Sequence, residues 1–468
     1  MSVAREAHQG SARRAGGARS RARLFLSGVA VAGGFCALGT LGRSHAAEPA
    51  SPASLRAVAD RYAADGDLDA AQATLDRLGA GAEDLLRALR APLEPTAPVG
   101  SSSRMIEITD GYGNKTDALV VAPDAATLAK RGNRPLALAV LLHGTGGKAK
   151  SARPWAEKIC ATGEVVCVSP SATALPAEEL RALKDGVPSF VKEKRWWAYE
   201  DPKSYIHAAV QAVRGLYPID PDRISLAGMS MGGYGTWNIG LRHPDHFAGL
   251  IALAGGISRF RVSDGDATTL ALLENGRSTP ILSAHGTLDP LVPYGPDKEA
   301  CDHLRSLGGR VTLRTLEGAG HELGGAPNAE GEIMGEAVDF IVKARRETSP
   351  PAVTYVSLAE KLDGAYWLRI AARAPGAEPP RVEGLVDREA NRVSVKTTGV
   401  AKTRVYLDER LLDPAREVTV ESGGRVAWRG RLVPDVRAVL ESWRSRRDPG
   451  LVYPACVDVA LGAPKIYR

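Results

Sequence analysis

Ser230 stands in the run RISLAGMSMGGYGTW, Arg223–Trp237, between two methionines and among three glycines, where an apolar stretch gives way to a helical pattern. A serine hydroxyl attacks a carbonyl only if it projects from its backbone into a cleft and has a base to take its proton. Gly-Met-Ser-Met-Gly fits a sharp strand-to-helix turn. Close packing there leaves no room for Cβ atoms two residues either side of the serine, which accounts for Gly228 and Gly232. The serine then sits at a helix N-terminus, where unpaired N–H groups and the helix dipole favour negative charge.

A nucleophile at such a turn needs an acid and a histidine later in the chain, each at the end of a strand. Asp289 follows the apolar run of TPILSAHGTLDP, and His321 lies in the loop after RVTLRTL. Read singly, Asp289 is also a turn residue before Pro290 and His321 a polar loop residue. The rival acids Asp264, Asp266 and Asp297 do not directly end an apolar run. The oxyanion formed during attack needs fixed donors. One is expected from the N–H of Met231 and the other from the glycine-rich LLHGTGG, at Thr145 with Gly144 next. His143 reads as a brace for that loop. His207, His243, His246, His285 and His303 are read as structural. No Cys–His group has zinc spacing, so no metal is expected, and the chemistry needs no cofactor.

The elements that would position these residues follow from periodicity. From Arg104 to Arg346, eight strand-like runs alternate with helical stretches: RMIEIT, DALVVA, LALAVLLHG, EVVCVSP, RISLAG, GLIALAG, TPILSAHG and RVTLRTL. Several are apolar throughout, as strands covered on both faces are. The alternation predicts an α/β class with a doubly wound, mostly parallel sheet. Helices are expected from Asp201-Pro202 to about Tyr217 and after Ser230, Pro296 and Ala329. Residues 48–90 carry apolar positions at helical spacing, and 91–103 read as a Pro- and Ser-rich linker. A second boundary, TSPPAV, is placed at 347–352. Residues 353–468 then show short alternating runs, a small antiparallel β-rich accessory domain of sandwich type, with one basic amphipathic helix near the end.

Together HGTGG, YPIDPDRISLAGMSMGGYGTW, HPDHFAGLIALAGG, HGTLDPLVPY and GAGHE resemble the secreted α/β-hydrolases related to carboxylesterases, polyhydroxybutyrate-depolymerase-like esterases and prolyl-oligopeptidase-type peptidases. The resemblance covers Arg104–Arg346. It implies Ser230, Asp289 and His321 as the triad and Thr145 and Met231 as oxyanion donors. One individual feature is the loop VKEKRWWAYEDP. Its Trp196 and Trp197 have two readings: they line the substrate pocket, or they pin a long loop to the body.

The net charge of +6 suggests no nucleic-acid partner, because seven arginines and only one acid fall within residues 1–47 and the remainder is balanced. That arginine-rich start, the uncharged stretch Leu24–Gly42 and SHAAEP read as a signal peptide cleaved after Ala46 or Ala47, for a secreted or periplasmic protein. An uncleaved membrane anchor is the alternative. Cys160 and Cys167 are read equally as a loop-stapling disulfide or as small buried hydrophobes.

The expectation is therefore an exported serine hydrolase that cleaves carboxylic esters through an acyl-enzyme. A peptidase using the same residues on an amide is the alternative. A reading of another class is an inert binding protein whose C-terminal domain contacts polysaccharide or the cell surface.

Overall fold

The computed structural model describes residues 50–92, 102–109, 113, 115–132, 134–172, 197, 205–257, 269–323, 329–358, 363–376 and 379–460. The expected signal segment 1–47, most of the expected linker 91–103, Trp196, the expected Asp201-Pro202 helix start, Asp264 and Asp266 lie outside the described residues.

All eight strand-like runs of the central region are strands: β1 (Ser103–Thr109), β2 (Lys115–Val121), β3 (Leu136–Leu142), β4 (Val165–Pro170), β5 (Ile219–Met229), β6 (Gly249–Leu253), β7 (Ile281–Gly286) and β8 (Val311–Leu316). They form one sheet in the order β1-β2-β4-β3-β5-β6-β7-β8. β1 and β2 pair antiparallel, β2 meets β4 antiparallel, and every pair from β4 to β8 is parallel. The order reverses at β3, between β4 and β5. The carboxyl ends of strands flanking such a switch point form a natural crevice.

β3 shows why the sheet is covered on both faces. Leu136, Leu138, Val140 and Leu142 enter one buried cluster, and Ala137, Ala139 and Leu141 enter the other. Strand alternation thus sends successive apolar side chains into two separate cores. Cys160 and Cys167 belong to the second of these, both as free buried thiols. Cys160 Sγ donates to Val121 O at 3.3 Å, and Cys167 Sγ lies 3.8 Å from Ala156 O. Of their two readings, the small buried hydrophobe is the one seen.

Nine α-helices are found among the described residues up to Lys343. α1 (Pro52–Asp65), α2 (Leu68–Leu78) and α3 (Ala82–Arg90) precede the sheet. α4 (Ala125–Arg131), α5 (Arg153–Cys160), α6 (Tyr205–Arg214) and α7 (Met231–Arg242) lie between its strands, and α8 (Tyr294–Ser306) and α9 (Ala329–Lys343) follow β7 and β8.

The remaining chain forms two further sheets. β9 (Ala352–Val356), β10 (Gly364–Ala365), β11 (Leu368–Arg373), β12 (Arg381–Asp387), β13 (Arg392–Thr398), β14 (Val400–Leu407), β15 (Val418–Ser422), β16 (Arg425–Gly430) and β17 (Ala455–Ala460) are arranged as β10-β11-β14-β17 and β16-β15-β13-β12-β9. Leu368, Val393, Val405 and Val420 from the two sheets share one core. Two features depart from the sequence reading. β13 and β15 pair in parallel, so the module is not wholly antiparallel. The short β10 and the last strand β17 went unrecognised because neither carries a sustained period-2 pattern.

These regions meet through buried contacts. Leu55, Val58, Leu75, Leu85 and Leu89 from α1–α3 pack on Val439, Leu440 and Trp443 of α10 (Val436–Arg446). The Trp443 indole donates to Asp60 at 2.9 Å and the Tyr62 hydroxyl to Glu441 at 2.8 Å. Asp245, just beyond α7, is fully buried and its Oδ2 takes Arg446 Nε at 3.0 Å, Arg369 Nη2 at 3.3 Å and the Tyr366 N–H at 2.9 Å. Arg346, after α9, holds Asp448 through two bonds of 2.9 Å and Asp222 at 2.8 Å. Buried charges are tolerated only when paired in this way.

Candidate active site

Ser230 occupies the turn between β5 and α7 with φ 58° and ψ −121°, in the left-handed half of backbone space that non-glycine residues avoid. The turn is held from both sides. The Ser230 N–H donates to Leu253 O of β6 at 2.9 Å, and the Tyr234 N–H donates to Ser230 O at 3.0 Å. A Cβ on Gly228 would stand 2.3 Å from Gly232 O, and one on Gly232 would stand 2.1 Å from Leu142 O. The glycines are therefore what lets the first turn of α7 close against β5 and β3.

His321 Nε2 lies 2.8 Å from Ser230 Oγ, and its Nδ1 lies 2.7 Å from Asp289 Oδ2. An ionised carboxylate only accepts, so Nδ1–H donates to Asp289 and leaves Nε2 to accept the serine proton. The other oxygen of Asp289 accepts the N–H groups of Leu291 at 2.8 Å and Val292 at 2.9 Å. Burial works to raise the pKa of Asp289. The Val292 N–H, His321 and the Leu291 N–H outweigh it and hold the carboxyl below its ordinary range.

A family profile for phospholipases and carboxylesterases matches residues 124–343, which span β3–β8 and all three side chains. Mouse lysophospholipase-like protein 1 (Mus musculus) is 28% identical over 198 residues, 39% of this chain and 79% of that protein. Acyl-protein thioesterase 1 of Gibberella zeae is 26% identical over 200 residues, 40% of this chain and 83% of that protein. A solved thermostable esterase aligns at 22% identity with a TM-score of 0.39, over 52% of this chain and 64% of that one. Residues 124–343 have the α/β-hydrolase fold and are similar to phospholipases and carboxylesterases.

The hydrolase cleft is a cavity of about 500 Å³ walled by Gly144, Thr145, Met229, Ser230, Met231, Tyr234, Leu291, Val292, His321 and Glu322. The structure thus brings the two expected oxyanion residues, Thr145 and Met231, into the same cavity as Ser230. Its walls are largely apolar, and Leu288 and Leu291, in the loop that carries Asp289, are exposed. Burial, with Asp297 and Asp289 nearby, pushes the Tyr234 hydroxyl up to about 12, so it stays protonated. Met229, Tyr234, Leu291, Val292 and Glu322 were not singled out from the sequence. All lie within four residues of Ser230, Asp289 or His321, which is the signal that adjacency supplies.

His143 braces the loop beside the cavity. Its Nδ1–H donates to Gly144 O at 2.8 Å, and Nε2 accepts the Ala172 N–H at 3.0 Å. Trp197 is fully buried, donates its indole N–H to His143 O at 2.8 Å and meets the His143 ring edge-on at 4.8 Å. It is not among the walls of the cavity; of its two readings, the loop-pinning one is what its contacts show. Asp297, a rival acid in the sequence, is fully buried one layer beneath Asp289 and does not bond to His321. It accepts from Trp237 Nε1 at 3.0 Å and Ser283 Oγ at 2.7 Å.

Proposed function

We propose that the chain is an exported serine esterase that hydrolyses carboxylic esters of apolar acyl groups through an acyl-enzyme. The observation that carries this reading is His321 bridging Ser230 Oγ and Asp289 at 2.8 and 2.7 Å beside an apolar cavity. His321 Nε2 takes the proton as Ser230 Oγ attacks the ester carbonyl. Asp289 holds Nδ1–H and balances the imidazolium that forms. The N–H groups of Met231, at the start of α7, and Thr145 serve the oxyanion. The imidazolium then protonates the departing alcohol, and His321 activates the water that frees the acid.

A fluorophosphonate probe should label the full chain at Ser230 and leave Ser230→Ala unlabelled. With nitrophenyl esters of increasing acyl length beside peptide amides, kcat/KM should favour the esters and rise from acetyl to medium chains. Absence of labelling would support an inert binding protein, and a preference for the amides would make the enzyme a peptidase.

Export belongs to this reading, on the arginine-rich start, the apolar stretch and SHAAEP. Protein recovered from its native source should begin at Ala47 or Glu48 by N-terminal sequencing. Retention of the first residues together with membrane association would favour the anchor. Contact of residues 353–468 with polysaccharide or the cell surface remains part of the proposal for insoluble substrates.

A further inference from the structure

His285 lies on β7 four residues before Asp289, and its ring is fully buried. Nε2 stands 3.0 Å from Val292 O and 3.4 Å from Asp289 Oδ2, while Nδ1 stands 3.2 Å from Asp297 Oδ2. A carbonyl oxygen can only accept, so Nε2 carries a proton. Asp297 already takes the Trp237 N–H on one oxygen and the Ser283 hydroxyl on the other. With donors on both oxygens, Asp297 acts as an acceptor, and its natural third partner is a second ring N–H.

We propose that His285 is a standing imidazolium wedged between two carboxylates, and that it is a positioning residue for the catalytic acid. Its Nε2–H donates to Val292 O, and its charge stands 3.4 Å from Asp289 Oδ2, so the carboxylate that orients His321 faces a second cation from behind. The arrangement rests on the triad reading given above.

The groups facing this ring come from several elements. Asp289 and the Val292 carbonyl lie on the loop after β7. Asp297 and the Tyr294 ring, 5.8 Å away, come from α8. Ser283 shares its strand, and Trp237 of α7 reaches it through Asp297. Tyr234 of α7 lies near both carboxylates and stays neutral. Two negative charges thus flank one ring. Burial opposes protonation of His285, but Asp297, the Val292 carbonyl and Asp289 outweigh it and raise its basicity above that of a free imidazole. The arrangement gives a polar layer below the cavity its function: Asp297 holds the charge on His285, and His285 holds the angle of Asp289.

The test is nitrogen NMR of the full chain labelled with ¹⁵N-histidine, with the His285 signals assigned by their loss in His285→Gln. Across a series from about pH 6 to about pH 9, both ring nitrogens should stay protonated to a higher pH than those of a free histidine. In Asp297→Asn the same ring should carry one proton at the upper end of that range. His285→Gln keeps a donor and removes the charge, so kcat should fall roughly ten- to a hundredfold while KM moves less than about twofold. A bare ring nitrogen on wild-type His285 near neutral pH overturns the proposal, whether or not the variant folds, and so does wild-type kcat in folded His285→Gln. Failure of the triad reading is seen separately, as turnover by Ser230→Ala, and leaves the protonation measurement intact.

Discussion

Ser230→Ala should lose about 10⁴-fold or more in kcat/KM on an activated ester, because the only route through an acyl-enzyme closes. His321→Ala should cost nearly as much. The three side chains act as one unit through the 2.8 and 2.7 Å bonds, so their individual losses do not add. Asp289→Asn should be similar or milder, since it disturbs the tautomer and charge of His321 without removing the proton acceptor. Asp297→Asn should cost far less than Asp289→Asn, because Asp297 reaches the reacting atoms only through His285. The measurement is kcat/KM for all four variants, each checked for folding. Near-normal turnover by folded Ser230→Ala would remove the mechanism. A dead Asp297→Asn beside a healthy Asp289→Asn would move the acid and leave the nucleophile standing.

Replacing Asp245 by Asn should destabilise the protein by about 3–5 kcal/mol, a large share of the 5–15 kcal/mol typical of a folded domain. The loss comes less from the missing attraction than from leaving Arg446 and Arg369 buried without their counter-charge. Burial opposes ionisation of Asp245, yet Arg446 and Arg369 overcome it and hold its pKa well below the usual carboxylate range. A carboxyl depressed on folding contributes stability above its unfolded pKa, about 3.9, and loses it only as pH falls through the folded value. The denaturant midpoint of Asp245→Asn should therefore fall below that of wild type at neutral pH, and the gap should narrow only in strong acid. An unchanged midpoint at pH 7 would show that the arginines find other partners. Cutting the chain after Thr348 removes Arg369, Arg446 and Asp448 together. That truncate should be less stable, but should still turn over a small soluble ester when folded, since among the described residues every wall of the cavity lies at or before residue 322.

Acid should act on the same junction through a second group. Burial outweighs the nearby Asp363, 3.7 Å from Nδ1, and pushes His243, whose ring nitrogens have no hydrogen-bond partner among the described residues, down to about 4. An unfolded histidine titrates near 6.5, so between those values the unfolded chain binds the extra proton and stability falls as pH falls.

Read alone, the sequence determined the parts whose chemistry is local. Apolar runs of strand length, punctuated by helical stretches, were enough to place all eight strands of the large sheet, because burial on both faces makes the central runs apolar throughout. The glycines around Ser230 marked the turn, since only a backbone approach as close as that of Gly232 to Leu142 O demands them. The order of serine, acid and histidine followed from strand ends. What lay beyond local pattern needed the tertiary structure. α1–α3 cover α10 from the other end of the chain, and a helix's apolar stripe does not name its partner. Asp245 finds Arg446 some 200 residues away, and a charge in sequence carries no sign of burial or pairing. In the sequence Trp197 kept two readings, pocket wall or pin, and His285 read as structural. Only their neighbours made one a pin under the oxyanion loop and set the other between two carboxylates, because a side chain's protonation and role are properties of what surrounds it.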